Sequence, residues 1–332
     1  MWRLGVLASA LSADLREAME LASACGAEGV QLAVGAGGSG GERAGGGADD
    51  TSLKALSRSG RRELLKRLEM QRLGLLSLVT TCGRRGFSPG ADVDRVLEHL
   101  RTCIELAAEL GRVVLCVDAG PLPPPPPSAA TFPSAPTQAT GGGGAEPLLL
   151  GGLVLPTAEE KRRFAQPARP TASEPRDEAF EAQLDAAWRE VGALADRCGV
   201  RVAWRSGLAS WRSLKRALDA AGCPMFGVDF DPVSVLGEPE GWDGMEAAVG
   251  ALAGRVWHVR VRDALRGSGG RTQPAPPGRG SLDWRALRQW LLDADFDGPV
   301  AVDPTELTDR LSGTRDALTY LRRVFGSDVG HG

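Results

Sequence analysis

The chain has 332 residues, 42% of them hydrophobic, and a formal net charge of −3. That is enough apolar material for a full core in one large domain or two ordinary ones, and the near-balance of charge gives no electrostatic reason to expect nucleic acid or an anionic membrane as partner. The six cysteines (Cys25, Cys82, Cys103, Cys116, Cys198, Cys223) form no CxxC pair and fall mostly in predicted helices or strands. This pattern argues against a zinc cluster or disulfide framework and for free thiols in a reducing compartment.

In chain order, Met1–Leu11 is too short for a signal-peptide core and reads as a first strand, Trp2–Ala8. Ala13–Cys25 has helical spacing, with Leu15, Met19 and Ala22 on one face, Ser12 as the expected N-cap and Gly26 as the stop. Gly29–Val34 is the second strand, Arg61–Arg72 the second helix behind a cap at Ser59, and Leu75–Thr80 the third strand. Val93–Leu110 is the clearest helix, and Val113–Val117 follows as strand four. Ala179–Cys198 is helical, Val200–Trp204 is strand five, and Ser210 caps a helix that runs through Ala221. Met225–Phe230 is strand six, Gly244–Leu252 helical, Val256–Val261 strand seven, Trp284–Asp293 helical, Val300–Val302 strand eight and Thr314–Val324 the closing helix. Eight βα units with near-continuous apolar strands predict a single α/β domain over residues 1–332, a (β/α)8 TIM barrel. An open doubly wound sheet is the alternative, but no GxGxxG follows the first strand. No run approaches the roughly 18 apolar residues of a membrane span, so a cytoplasmic protein without membrane contact is expected.

Two segments interrupt this rhythm. Residues 35–50 form a Gly-rich insertion after strand two that lacks the GK[ST] ending of a phosphate loop and reads as flexible. Residues 119–175 are a low-complexity Pro/Gly insertion after strand four, in which Leu148–Leu155 alone has a strand-like pattern.

A parallel barrel builds its site at the C-terminal ends of its strands. Three apolar runs stop there on charge: Phe226–Asp231, Val256–Asp263 and Pro299–Asp303. The strand-end candidates are Gln31, Asp118, Arg205, Asp229, Asp231, His258, Arg260, Arg262, Asp263 and Asp303, with Arg279 from the loop after strand seven. Side chains two apart share a face, so His258, Arg260 and Arg262 point one way.

The stretches GAEGVQL (Gly26–Leu32), ELAAELG (Glu105–Gly111), GVDFDPVSVL (Gly227–Leu236), VWHVRVRDA (Val256–Ala264), GRGSLDW (Gly278–Trp284) and GPVAVDP (Gly298–Pro304), together with Ser57–Leu78, resemble the sugar phosphate isomerase/epimerase family with the xylose isomerase-like barrel. The resemblance implies a carbohydrate-related protein. Members of that family commonly hold a divalent cation with a Glu, an Asp, a His and a Glu after strands five to eight, the two glutamates also moving protons. Carried over by position, the Asp is Asp231, but Arg205 stands for the first Glu, Arg260 for the His and the shorter Asp303 for the last Glu; Arg279 replaces a further loop His.

Arginine offers donors only and stays protonated. A guanidinium about 4 Å from a dication costs on the order of several kcal/mol even at an effective dielectric near 20. The two replacements therefore give the site its own positive charge, and neither a metal nor another cofactor is expected. Three readings of Asp231, Asp303, Arg205 and Arg260 stay open: an ion-pair network filling the former metal cavity, an arginine-lined mouth gripping an anionic sugar or carboxylate without catalysis, or a metal-independent proton transfer. Gln31, His258, Arg262, Asp263 and Arg279 are the accompanying candidates for contact with a small-molecule sugar or anionic ligand. The pattern does not specify an oligomeric state.

Overall fold

Eight short strands carry the architecture: Leu4–Leu7 (β1), Gly29–Ala33 (β2), Gly74–Thr81 (β3), Val114–Asp118 (β4), Val202–Arg205 (β5), Phe226–Phe230 (β6), Val256–Val261 (β7) and Val300–Val302 (β8). They close into one parallel barrel in chain order, with β1 paired to both β2 and β8. The computed structural model describes residues 2–35, 53–123, 149–150, 153–154, 178–267 and 271–326. The helices that return the chain are Leu15–Ala24 (α1), Arg58–Met70 (α2), Val93–Glu109 (α3), Glu178–Cys198 (α4), Trp211–Ala221 (α5), Met245–Ala251 (α6), Trp284–Asp293 (α7) and Arg310–Phe325 (α8). The (β/α)8 expectation therefore holds. No described helix is long and apolar enough to cross a membrane.

Contacts divide the chain into two units, Met1–Pro124 with Glu178–Gly332, and Pro125–Asp177. The first is the barrel. In the second, Leu149–Leu150 pairs antiparallel with Leu153–Val154, within the stretch whose sequence has the strand-like pattern. Most of both predicted insertions, including residues 36–50 and 124–148, lies outside the described residues.

The strand–helix boundaries follow local chemistry. Asp14, rather than Ser12, caps α1: its carboxylate accepts from the Glu17 backbone N–H at 2.7 Å, while Ser12 Oγ accepts from the Asp14 N–H and shapes the turn ahead of it. Ser57, rather than Ser59, caps α2, which starts three residues earlier than Arg61 because Ser59 and Gly60 already lie in its first turn. The last helix likewise begins at Arg310, behind Asp309, four residues ahead of the predicted Thr314. The short helix Pro232–Leu236 and the antiparallel hairpin Asp263–Arg266 with Thr272–Ala275 had no periodic signal in the sequence.

The main core lies between the strands and the helices, where Trp188, Trp204 and Trp284 are completely enclosed. Trp188 and Trp204 stack with ring centroids 4.5 Å apart, so the tryptophan of β5 is a packing residue rather than a platform beside the mouth. A separate small apolar layer joins Leu7, Ala10, Val79, Cys116 and Ala203. Strand register matters most for the site. It sets Asp118 beside Arg205, Asp229 beside His258, and Ala301 beside Arg260.

Replacing Asp14 by Ala removes the α1 cap and should lower stability by about 1 kcal/mol in urea unfolding. Replacing Ser59 by Ala should leave the midpoint unchanged.

Candidate functional site

Burying an arginine inside a barrel obliges the surrounding strands to supply carboxylates. Arg205, the last residue of β5, meets Asp118 of β4 at 2.9 Å between Nη1 and Oδ2, and its Nε lies 3.3 Å from Asp229 Oδ2 of β6. The second contact is an ion pair without hydrogen-bond alignment, since neither atom has a hydrogen-bond partner. Arg260 of β7 donates from Nη1 to Asp303 Oδ2 at 2.7 Å, with both side chains buried. Arg262 donates from Nη2 to Asp231 and from Nη1 to Glu306, the latter at 2.9 Å. Asp231 also caps the Pro232–Leu236 helix through the Val233 N–H at 3.1 Å, and accepts from Ser234 Oγ at 3.1 Å.

Deeper in the barrel a polar chain continues from these pairs. Gln31 Nε2 donates to Ser77 Oγ at 3.0 Å and faces His258 Nε2 at 3.3 Å, and His258 Nδ1 lies 2.6 Å from Asp229 Oδ1. His258 thus bridges Gln31 and Asp229 through its two ring nitrogens.

Electrostatics reinforce the pairing. Burial opposes the charge on Asp303, but Arg260, two hydrogen bonds from Thr305 and then Arg262 outweigh it and hold the carboxyl below its ordinary range. Asp229 is likewise held down, with burial opposed by His258, Arg260 and Arg205. Burial works against the charge of Arg260 too, yet Asp303, Asp229 and Asp231 hold its pKa above the usual arginine value.

The sequence expectation of a positively charged mouth does not survive this arrangement. Register brings Asp118 and Asp229 into contact with Arg205, and Glu306 joins Arg262, so three guanidiniums face five carboxylates. Five carboxylates outnumber the three guanidiniums and His258 together.

Asp231, Asp303, Arg205, Arg260, Arg262, His258 and Gln31 are thus gathered into adjoining pairs along the barrel. Asp263 and Arg279 are not. Asp263 is buried under five donors: the backbone N–H groups of Ala264, Gly278, Gly280 and Leu282, and Trp284 Nε1. It organises the loop after β7, and a Cβ on Gly280 would come within 1.9 Å of its Oδ1, which explains the glycine in GRGSLDW. Burial lifts this carboxyl above its ordinary range against the pull of those donors. Arg279 is exposed, and none of the ion pairs among the described residues includes it. Sequence reasoning missed Glu306 and Ser77. Glu306 sits three residues past a strand end, and only the loop's return toward β7 reveals its role.

Comparison with known proteins places this geometry. A family model described as xylose isomerase-like TIM barrel matches residues 153–324, more than half of the chain. The chain belongs to the xylose isomerase-like TIM barrel family. No curated protein matches it. Among solved structures it is similar to a D-psicose 3-epimerase with D-tagatose from Clostridium cellulolyticum H10, at TM-score 0.64 and 13% identity over 97% of this chain and 99% of that one. A 3-keto-D-glucoside 4-epimerase from E. coli gives TM-score 0.62 at 16% identity, over 97% of this chain and 100% of that one. The IOLI protein with a binding zinc atom gives 0.63 at 11% identity, over 99% of this chain and 100% of that one. At these identities the likeness establishes the fold.

The residues of this xylose isomerase-like barrel do not fit the family's dication. Asp231 and Asp303, which the resemblance would make ligands, are already bonded to guanidiniums, and Arg260 stands where the resemblance would place a His. Among the described residues one other group has metal-like spacing: ligand atoms of Cys116, Asp229 and His258 lie within 4.8 Å of one another. It does not fit either, because both ring nitrogens of His258 are already engaged, Nδ1 with Asp229 and Nε2 with Gln31.

Two outcomes follow. Asp303→Ala should destabilise the barrel by about 3–5 kcal/mol in urea unfolding, since it strands the buried Arg260 guanidinium. Asp229 and Asp303 have folded pKa values below the unfolded ones. Their contribution is therefore complete above the unfolded carboxylate range near pH 4 and is lost as pH falls through the lower folded values. Acid titration of wild type should show this loss, and Asp303→Asn should flatten it.

Proposed function

We propose that this xylose isomerase-like barrel has given up metal-dependent sugar isomerisation and epimerisation, and serves as a carbohydrate-related small-molecule binding protein. The observation that carries this reading is the buried Arg260–Asp303 pair at 2.7 Å. By resemblance these two positions would supply ligands to the cation, and here they neutralise each other. The sugar epimerases among similar structures favour a carbohydrate-type ligand.

Two other readings have less support. A metal-independent proton transfer would need a carboxylate whose pKa lies near the working pH. Asp303 is held below its ordinary range and is tied up by Arg260 and Thr305. Capture of an anionic sugar or carboxylate by Arg205, Arg260 or Arg262 would require displacing the carboxylates that already hold them.

Metal analysis and ligand-free melting curves test the proposal. Purified protein should contain no stoichiometric Mn2+, Zn2+ or Mg2+, and adding these ions should leave its melting temperature unchanged. It should also show no turnover with a ketose/aldose panel, with or without Mn2+. The triple variant Arg205→Glu, Arg260→His, Asp303→Glu should gain stabilisation by Mn2+. A wild-type protein carrying one equivalent of metal, lost on Asp231→Asn, would overturn the reading.

A further inference from the structure

The ion-pair network lies at the C-terminal ends of the strands, and the opposite opening of the barrel has the reverse character. Arg3 precedes β1, Arg72 precedes β3, Arg112 precedes β4 and Arg201 precedes β5, and all four are exposed. None of these four guanidiniums takes part in an ion pair or hydrogen bond among the described residues, whereas each arginine of the mouth holds a carboxylate.

Two of the side chains reach past a neighbouring strand. The Arg3 guanidinium fills the space beside Gly74, the first residue of β3, where a Cβ would collide with it. The strand between them, β2, has Gly29 at this level. Arg201 stands over the half-buried ring of Trp257 in β7, its Cζ 5.3 Å from the ring centroid. There the intervening β6 carries Gly227, whose missing Cβ leaves room for that ring. Stacking uses the face of a guanidinium and leaves its N–H edges free.

Arg72 and Arg112 extend the charge into an arc over β3–β5. Both have left-handed backbones, with φ of 58° and 56°, a conformation that glycine adopts without strain. The Arg112 side chain lies against Gly199, in the turn just ahead of Arg201. The ends of α2, α3 and α4 answer only about half a charge each. Acidic groups of this face are engaged or distant: Glu28 accepts from the Leu4 N–H, Asp219 is held by Lys215 and Arg255, and Asp295 and Asp297 precede β8, across the barrel from β4. Glu69 and Asp196, in the last turns of α2 and α4, form no ion pair among the described residues.

We infer that this N-terminal opening docks an acidic polypeptide segment, whose Asp or Glu carboxylates bond to Arg201, Arg112, Arg72 and Arg3. Arginine forks match carboxylates in geometry and charge. The net charge of −3 on the whole chain disfavours a long polyanion such as nucleic acid, which would meet repulsion beyond the arc.

Fluorescence anisotropy of a labelled hexaglutamate peptide with the full chain tests it, with hexaglutamine and hexathymidylate for comparison. Hexaglutamate should bind at low salt and weaken at least about tenfold once the screening length falls to about 5 Å, and hexaglutamine should not bind. Arg201→Gln should weaken hexaglutamate about tenfold, the scale of one hydrogen bond to a charged group. Arg72→Gly with Arg112→Gly should weaken it as well while holding or raising the melting temperature, because glycine relieves both left-handed turns. Arg62→Gln, at an exposed arginine in the N-terminal half of α2, should change nothing. Absence of hexaglutamate binding, indifference to Arg201→Gln, an equal loss with Arg62→Gln, or hexathymidylate binding as tightly as hexaglutamate would each overturn it.

Discussion

A guanidinium taken from water into the mouth of a barrel costs several kcal/mol unless carboxylates accompany it and satisfy its donors. In this molecule three arginines are placed that way, and the arrangement around them is their counterpart. Asp118 lies beside Arg205 because β4 and β5 pair in that register, Asp303 faces Arg260 from the adjoining strand, and Asp231 reaches Arg262 from the start of a helix it also caps. Even the buried histidine is drawn in, since Asp229 contacts both Arg205 and His258.

The same constraint links architecture to chemistry. A cation site at strand ends needs free oxygen or imidazole donors converging on an empty centre. Here the converging groups bond to one another, and Asp229 and Asp303 are held below the ordinary carboxylate range by their partners. The xylose isomerase-like barrel carries an internal salt network at its centre.

Some of this was legible in the sequence. The apolar runs of β7 and β8 and the periodicity of α7 match the observed bounds, because long or uninterrupted apolar patterns leave little choice of element. Caps were misread where two candidates stand close together. Ser12 and Asp14 both have suitable oxygens, and only the turn geometry decides which one meets the Glu17 N–H. The hairpin after β7 escaped because its pairing is between short segments of mixed polarity with no alternation to betray it.

The sequence by itself determined the barrel and the gathering of charged residues at its strand ends, since these depend on local pattern and residue type. Only the tertiary structure decided the partners. Arg260 pairs with Asp303, but Arg205 goes to Asp118 and Asp229, and Asp231 goes to Arg262. Residues far apart in the chain become neighbours through strand register, and a charge takes its sign of environment from those neighbours rather than from its own segment. That is why a mouth that reads as positive along the chain holds an excess of carboxylates in the folded barrel.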